Sequence, residues 1–129
     1  MRITSAKELE SVLRLDGPAR FKHFVKRVVD DESAWGLWKD GWGLMADDDA
    51  KLAFPLWPAK EYAELCRTGN WSEYSVEQIP LETLLNDILP RMSQERVLPA
   101  IFPTPGGKGV TPSVEELIQA LEEESLKYE

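Results

Sequence analysis

Cysteine and histidine each occur once in this 129-residue chain, as Cys66 and His23, and that scarcity excludes a good deal of chemistry. A lone thiol cannot form an internal disulfide, which agrees with a reducing compartment. No cluster of His and Cys supports zinc. A nucleophile needs an activating base, and both candidates are poorly tuned for the task. His23 lies among Lys22, Lys26 and Arg27, which disfavour the imidazolium, and Cys66 falls near the end of a predicted helix, where the dipole disfavours a thiolate. A core thiol and a surface histidine are the expected roles. No catalytic residue is assigned, no cofactor is implied, and the chain reads as leaning away from an enzyme.

Long apolar runs are also missing. No stretch reaches the ~18 uninterrupted apolar residues of a membrane span, and Met1 to Glu8 lacks the apolar segment of a signal peptide. A cytoplasmic protein is expected. Positive charge is in deficit as well: 15 Lys and Arg stand against 23 Asp and Glu, for a net charge of −8. Residues 1–50 carry 8 basic and 10 acidic side chains and residues 51–129 carry 7 and 13, so the acidity sits in the second half. Such a field repels phosphate backbones and anionic lipid, which argues against nucleic acid and membranes as partners, and it attracts a basic protein.

Two near-motifs fail on inspection. Gly106-Gly107-Lys108-Gly109 lacks the Ser or Thr that must follow the lysine of a phosphate-binding loop, and reads as a hairpin loop. Asp47-Asp48-Asp49 lacks the alternating spacing of a calcium loop, so no metal ligands are assigned. There are no internal repeats and no low-complexity segment. A chain of this length supports one core, so residues 1–129 are expected to form a single globular domain.

What is present is tryptophan. Four of the five lie between Trp35 and Pro58. Asp40-Gly41 between strand-like runs predicts a two-residue type I′ turn, which sets Trp38 opposite Gly43, Leu37 opposite Leu44 and Gly36 opposite Met45. Alternation then puts Trp35, Leu37, Trp42, Leu44 and Ala46 on a core face, and leaves Trp38 and Met45 as candidates for an exposed interaction patch. Lys51 to Trp57 reads as a third strand, placed at an edge or bulged by Pro55.

Helices are predicted from Ser5, capped toward Glu8, and from Pro18, with Phe21, Phe24, Val25 and Val28 inward and a cationic solvent side that includes Arg20 and Arg27. Others start at Pro58, after Pro80 with Leu81 to Met92 in helical period and a kink or early end at Pro90, and near Ser113. Trp71 with Tyr74 to Val76 reads as a weak strand, and Val97 to Phe102 as a buried one. The fold class is therefore α+β, with a mainly antiparallel sheet containing a Trp-rich three-strand meander packed against about five helices.

Trp38 with Gly41-Trp42, Pro55-Leu56-Trp57-Pro58 with Tyr62-Ala63, Trp71, the Leu81 to Pro90 helix and Phe102-Pro103-Thr104-Pro105 together resemble an uncharacterised bacterial family, the domain of unknown function numbered twenty-seven fifty. The resemblance covers roughly residues 21–121. It implies a small bacterial α+β domain and brings no established activity or site residues.

Two functions from different classes follow. The first is a non-catalytic interaction module, since Trp and Met suit contact surfaces and charge steers encounters. Its narrower form is a neutraliser of a basic partner, as immunity proteins are for cationic toxins. The alternative is a small-ligand or enzymatic pocket bounded by Trp42, Trp57, Tyr62 and Trp71, with Lys108 supplying charge. Neither reading fixes an oligomeric state.

Overall fold

The computed structural model describes residues 5–46, 51–105 and 109–128. Helix α1 (Ala6–Leu13) begins where the Ser5 hydroxyl accepts the Glu8 N–H at 3.1 Å. Helix α2 (Gly17–Asp31) is capped by the Asp16 carboxylate, which accepts the Ala19 N–H at 2.9 Å, and has Pro18 in its first turn, where a missing N–H costs nothing. Glu32 closes it at φ +55°, and the Glu32 carbonyl accepts the Leu81 N–H at 2.9 Å. Phe24, Val25 and Val28 of α2 are buried, as their spacing predicts.

Arg27 is a correction to the cationic-face reading. It is only 3% exposed, and it pairs with Glu8 of α1 at 3.4 Å and Asp31 at 3.2 Å. From the preceding helix, Glu8 supplies the compensating charge that a buried guanidinium requires.

The strands form two small sheets. β1 (Ser33–Trp38) pairs antiparallel with β4 (Ser75–Pro80), from Ser33 opposite Pro80 to Trp38 opposite Ser75. β2 (Met45–Ala46), β3 (Leu52–Leu56) and β5 (Leu98–Ile101) make the second, antiparallel between β2 and β3 and parallel between β3 and β5. Trp35 and Trp57 join the sheets by exchanging two backbone hydrogen bonds of 2.9 Å. The α+β class stands, but the expected three-strand meander does not: β1 takes its partner from β4 rather than β2. Pro55 also lies in the central strand of its sheet. It is tolerated there because β2 pairs only with Leu52 and Ala53, so no neighbour seeks a bond at Pro55 on that side.

The turn at Asp40-Gly41 exists, one residue out of the expected register. Lys39 N–H donates to the Gly41 carbonyl at 2.9 Å and Gly43 N–H to the Leu37 carbonyl at 2.7 Å, so Trp38 bridges to Trp42 across a three-residue loop. Asp40 and Gly41 adopt positive φ, +58° and +154°, as the turn chemistry demands. The slip brings two indoles together edge to face at 5.0 Å, an arrangement worth ~0.5–1.5 kcal/mol beyond area burial. It also reverses the relation of the faces, because a one-residue shift moves a whole strand's side chains to the other side.

Helix α3 (Lys60–Leu65) follows Trp57, and a 3-10 turn (Gly69–Trp71) leads into β4. Residues 81–94 form one helical run of α4 (Leu81–Thr83), a π turn (Leu84–Ile88) and α5 (Leu89–Gln94). Pro90 has no N–H and its ring would crowd the carbonyl four residues back. The backbone widens instead, with Leu89 N–H donating five residues back to Leu84, and the run continues past the proline. Helix α6 (Val114–Leu126) opens with a reciprocal capping box between Ser113 and Glu116 at 3.0 and 3.1 Å. Counting residues 81–94 once, the described residues hold five helices. Phe24, Leu37, Trp57, Tyr62, Phe102 and Leu117 meet in one hydrophobic cluster. No helix among the described residues is long and apolar enough to cross a membrane.

Candidate functional site

The slipped turn sets the site. With Trp38 opposite Trp42, the alternation of side chains puts Gly36, Trp38, Trp42 and Leu44 on one side of the ribbon and Leu37, Gly43 and Met45 on the other. Trp42 lies over Gly36, where a Cβ would come within 3.2 Å of the ring. The bare side of Gly43 is covered by Trp71, whose ring would be 2.5 Å from a Cβ. Each glycine therefore makes room for an indole, though neither is the pairing of Trp38 with Gly43 that the sequence suggested.

Trp38 is 42% exposed, Leu44 40% and Leu52 48%. Trp38 leans on Trp42, and Trp42 leans on Phe54 at 5.8 Å. Leu44 and Ala46 were expected on the core face and are instead exposed; Ala46 pairs with Leu52 across β2 and β3. The exposed indole is mounted firmly. Ser75 hydroxyl donates to the Trp38 carbonyl at 3.2 Å, and Lys39 beside it pairs with Glu73 at 2.7 Å. That pair raises the lysine's pKa and lowers the glutamate's, through their mutual hydrogen bond first and charge second.

Next to this strip runs a groove of about 370 Å3. Trp42, Leu44 and Phe54 line the sheet side, and Ile88 and Met92 line the helix side. Asp87, Arg91 and Glu95 edge it, spaced four residues apart along the helical run. Asp87 and Arg91 pair at 3.2 Å. The π turn places Asp87 and Ile88 on this wall.

The other predicted site residues lie elsewhere. Met45 is half-buried and lines a separate cleft of about 200 Å3 with Leu37, Trp57, Trp71, Cys66 and Pro103. Tyr62 is fully buried, its ring 4.7 Å from Phe102 and 6.4 Å from His23. The structure thus brings Trp57 and Trp71 together, puts Trp42 in the groove and sinks Tyr62 into the core. Lys108 and Asp47 to Asp49 lie outside the described residues.

The cleft has little chemistry of its own. Trp57 Nε1–H donates to the Pro103 carbonyl at 2.8 Å, and the Cys66 Sγ approaches the same oxygen at 3.4 Å. Burial pushes the Cys66 thiol's pKa up, and its interaction with Trp57 only partly offsets this, so the sulfur stays protonated at neutral pH. His23 is half-buried against Tyr62 and Phe102 rather than on an open surface. Among the described residues no group of three His, Cys, Asp or Glu could hold a metal ion.

Sequence reasoning missed Leu44 and Leu52 as surface residues, and missed the row Asp87, Arg91, Glu95. The row had a signal: four-residue spacing along one flank of the apolar Leu81 to Met92 stripe. Leu44 had one too, since a three-residue loop between Trp38 and Trp42 would have matched the two indoles.

No curated protein and no solved structure matches the chain. A family model described as "protein of unknown function (DUF2750)" matches residues 21–121, which span the ribbon, the groove and the cleft. The chain belongs to the DUF2750 family.

Proposed function

We propose that this chain is a non-catalytic protein-interaction module of the bacterial cytoplasm that captures a basic protein partner, in its narrower form as an immunity-type neutraliser. The observation that carries the reading is the exposed indole of Trp38, held in place by Trp42, Ser75 and the Lys39–Glu73 pair. A rigid, half-exposed tryptophan loses little entropy on contact and buries much apolar area. Covering what Trp38 leaves open is worth roughly 2 kcal/mol at ~25 cal/mol/Å2. The net charge of −8 supplies long-range attraction for a cationic surface.

Trp38→Ala tests it. Capture of proteins from the native bacterial lysate should fall sharply relative to wild type, with the melting temperature lowered by only a few degrees for the lost Trp38–Trp42 contact. Capture that persists in the variant overturns the reading, and a collapse of stability would show that the indole belongs to the core.

A small-ligand domain is the second reading, supported by the approach of Trp57 and Trp71 in the cleft with Met45 and Cys66. Indole and phenol fragments titrated against tryptophan fluorescence should then bind wild type and not Trp71→Ala. Equal response of the two proteins removes it.

A further inference from the structure

The groove beside Trp42 combines two surfaces that suit a single kind of guest. Its floor is apolar and aromatic, from Trp42, Phe54 and Met92. Its rim carries Asp87, Arg91 and Glu95, and the Arg91 charge is taken up by Asp87 at 3.2 Å. Glu95 makes no ion pair among the described residues and is exposed, so the rim keeps one carboxylate in excess. An aromatic wall beside an unspent carboxylate favours a guanidinium: the planar cation lies against an indole and pairs with the carboxylate at its edge. An anionic guest would meet Glu95, and a neutral one would leave that carboxylate desolvated without a partner.

We infer that this groove docks an arginine-bearing apolar segment of a cationic protein, with the guanidinium against Trp42 and paired to Glu95 and the flanking apolar side chains over Phe54 and Met92. This rests on the interaction reading above and specifies the partner's anchor. The acidic excess of residues 51–129, which include the whole helical wall of the groove, points the same way.

The full chain is titrated with three short synthetic peptides that share their leucine and alanine positions and carry arginine, lysine or glutamate at the others, followed by backbone-amide and indole NMR. The arginine peptide should bind tightest, shifting the Trp42 indole N–H and the amides of residues 87–89 and 91–95, and the glutamate peptide should not bind. Glu95→Gln should weaken the arginine peptide by about two- to fivefold, the effect of one exposed ion pair, while Glu122→Gln, on α6 and outside the groove's lining, should not. Four results overturn the inference: equal binding of the glutamate peptide, shifts away from the groove, equal weakening by the two Gln variants, or no binding of any peptide. If one of these occurs while Trp38→Ala still abolishes capture, the groove assignment fails and the interaction reading stands. If Trp38→Ala leaves capture intact, the interaction reading fails on its own evidence.

Discussion

Replacing Gly43 by alanine tests the register on which the exposed strip depends. A Cβ at Gly43 would lie 2.5 Å from one carbon of the Trp71 ring and 3.3 Å from another, with Tyr74 at 3.1 Å. Trp71 is packed against Tyr74 at 4.8 Å, so the ring cannot yield without disturbing its neighbour. Overpacking of this kind costs ~1–3 kcal/mol. Against it stands the ~0.4–1 kcal/mol by which alanine restricts the unfolded chain. The net is a loss of about 0.5–2 kcal/mol, or roughly 2–8 °C in melting temperature for a chain of this size. Thermal and urea unfolding of Gly43→Ala, Trp71→Ala and the double variant would measure the coupling. With the ring removed, Gly43→Ala should become neutral or stabilising, giving an interaction energy of ~1–3 kcal/mol. In the two-residue register Gly43 would instead face Trp38, so a second cycle with Trp38→Ala separates the two arrangements. Coupling to Trp38 and none to Trp71 would refute the register.

Three further outcomes follow from the interior and the caps. Arg27→Met should destabilise by about 1–2 kcal/mol, less than the ~3–5 kcal/mol of a fully buried broken pair, because Glu8 and Asp31 retain 33% and 24% side-chain exposure and can rehydrate. Amide exchange should then quicken in α1, which loses its tie to α2. Cys66 should react with iodoacetamide more slowly than a free thiol at pH 7 and approach the free rate in urea, because burial raises its pKa; equal rates would contradict that. Glu116 has a pKa held below its ordinary 4.5 by the Ser113 backbone and hydroxyl bonds. Its contribution to α6 is therefore present above that value and lost as pH falls through the lowered one, and Glu116→Gln should flatten this part of the acid unfolding curve.

Legibility in the sequence divided along a physical line. Ser5 with Glu8, Pro18 and the Leu81 to Met92 stripe announced helices because caps and 3.6-residue spacing are local properties. Asp40-Gly41 announced a reversal for the same reason. The register of that reversal was decided by packing that no local rule contains, namely Trp42 over Gly36 and Trp71 over Gly43. The union of β1 with β4 and the parallel pairing of β3 with β5 are long-range choices, invisible until the intervening chain has folded. Arg27 read as a surface cation because its counter-charge, Glu8, belongs to another helix. At the candidate site, Trp38 could be singled out from its neighbours, whereas the groove needed the helical run to be laid against the sheet.

The pairing of β1 with β4 bears on how the chain is made. Ser33–Trp38 emerges from the ribosome well before Ser75–Pro80 does, and at ~5–20 residues per second the delay is a few seconds. For that interval the β4-facing edge of a strand bearing two tryptophans stands open, held locally only by the Trp38–Trp42 bridge and the Trp35–Trp57 pair. Nascent chains halted between these strands should therefore be the ones that chaperones hold and that aggregate when released.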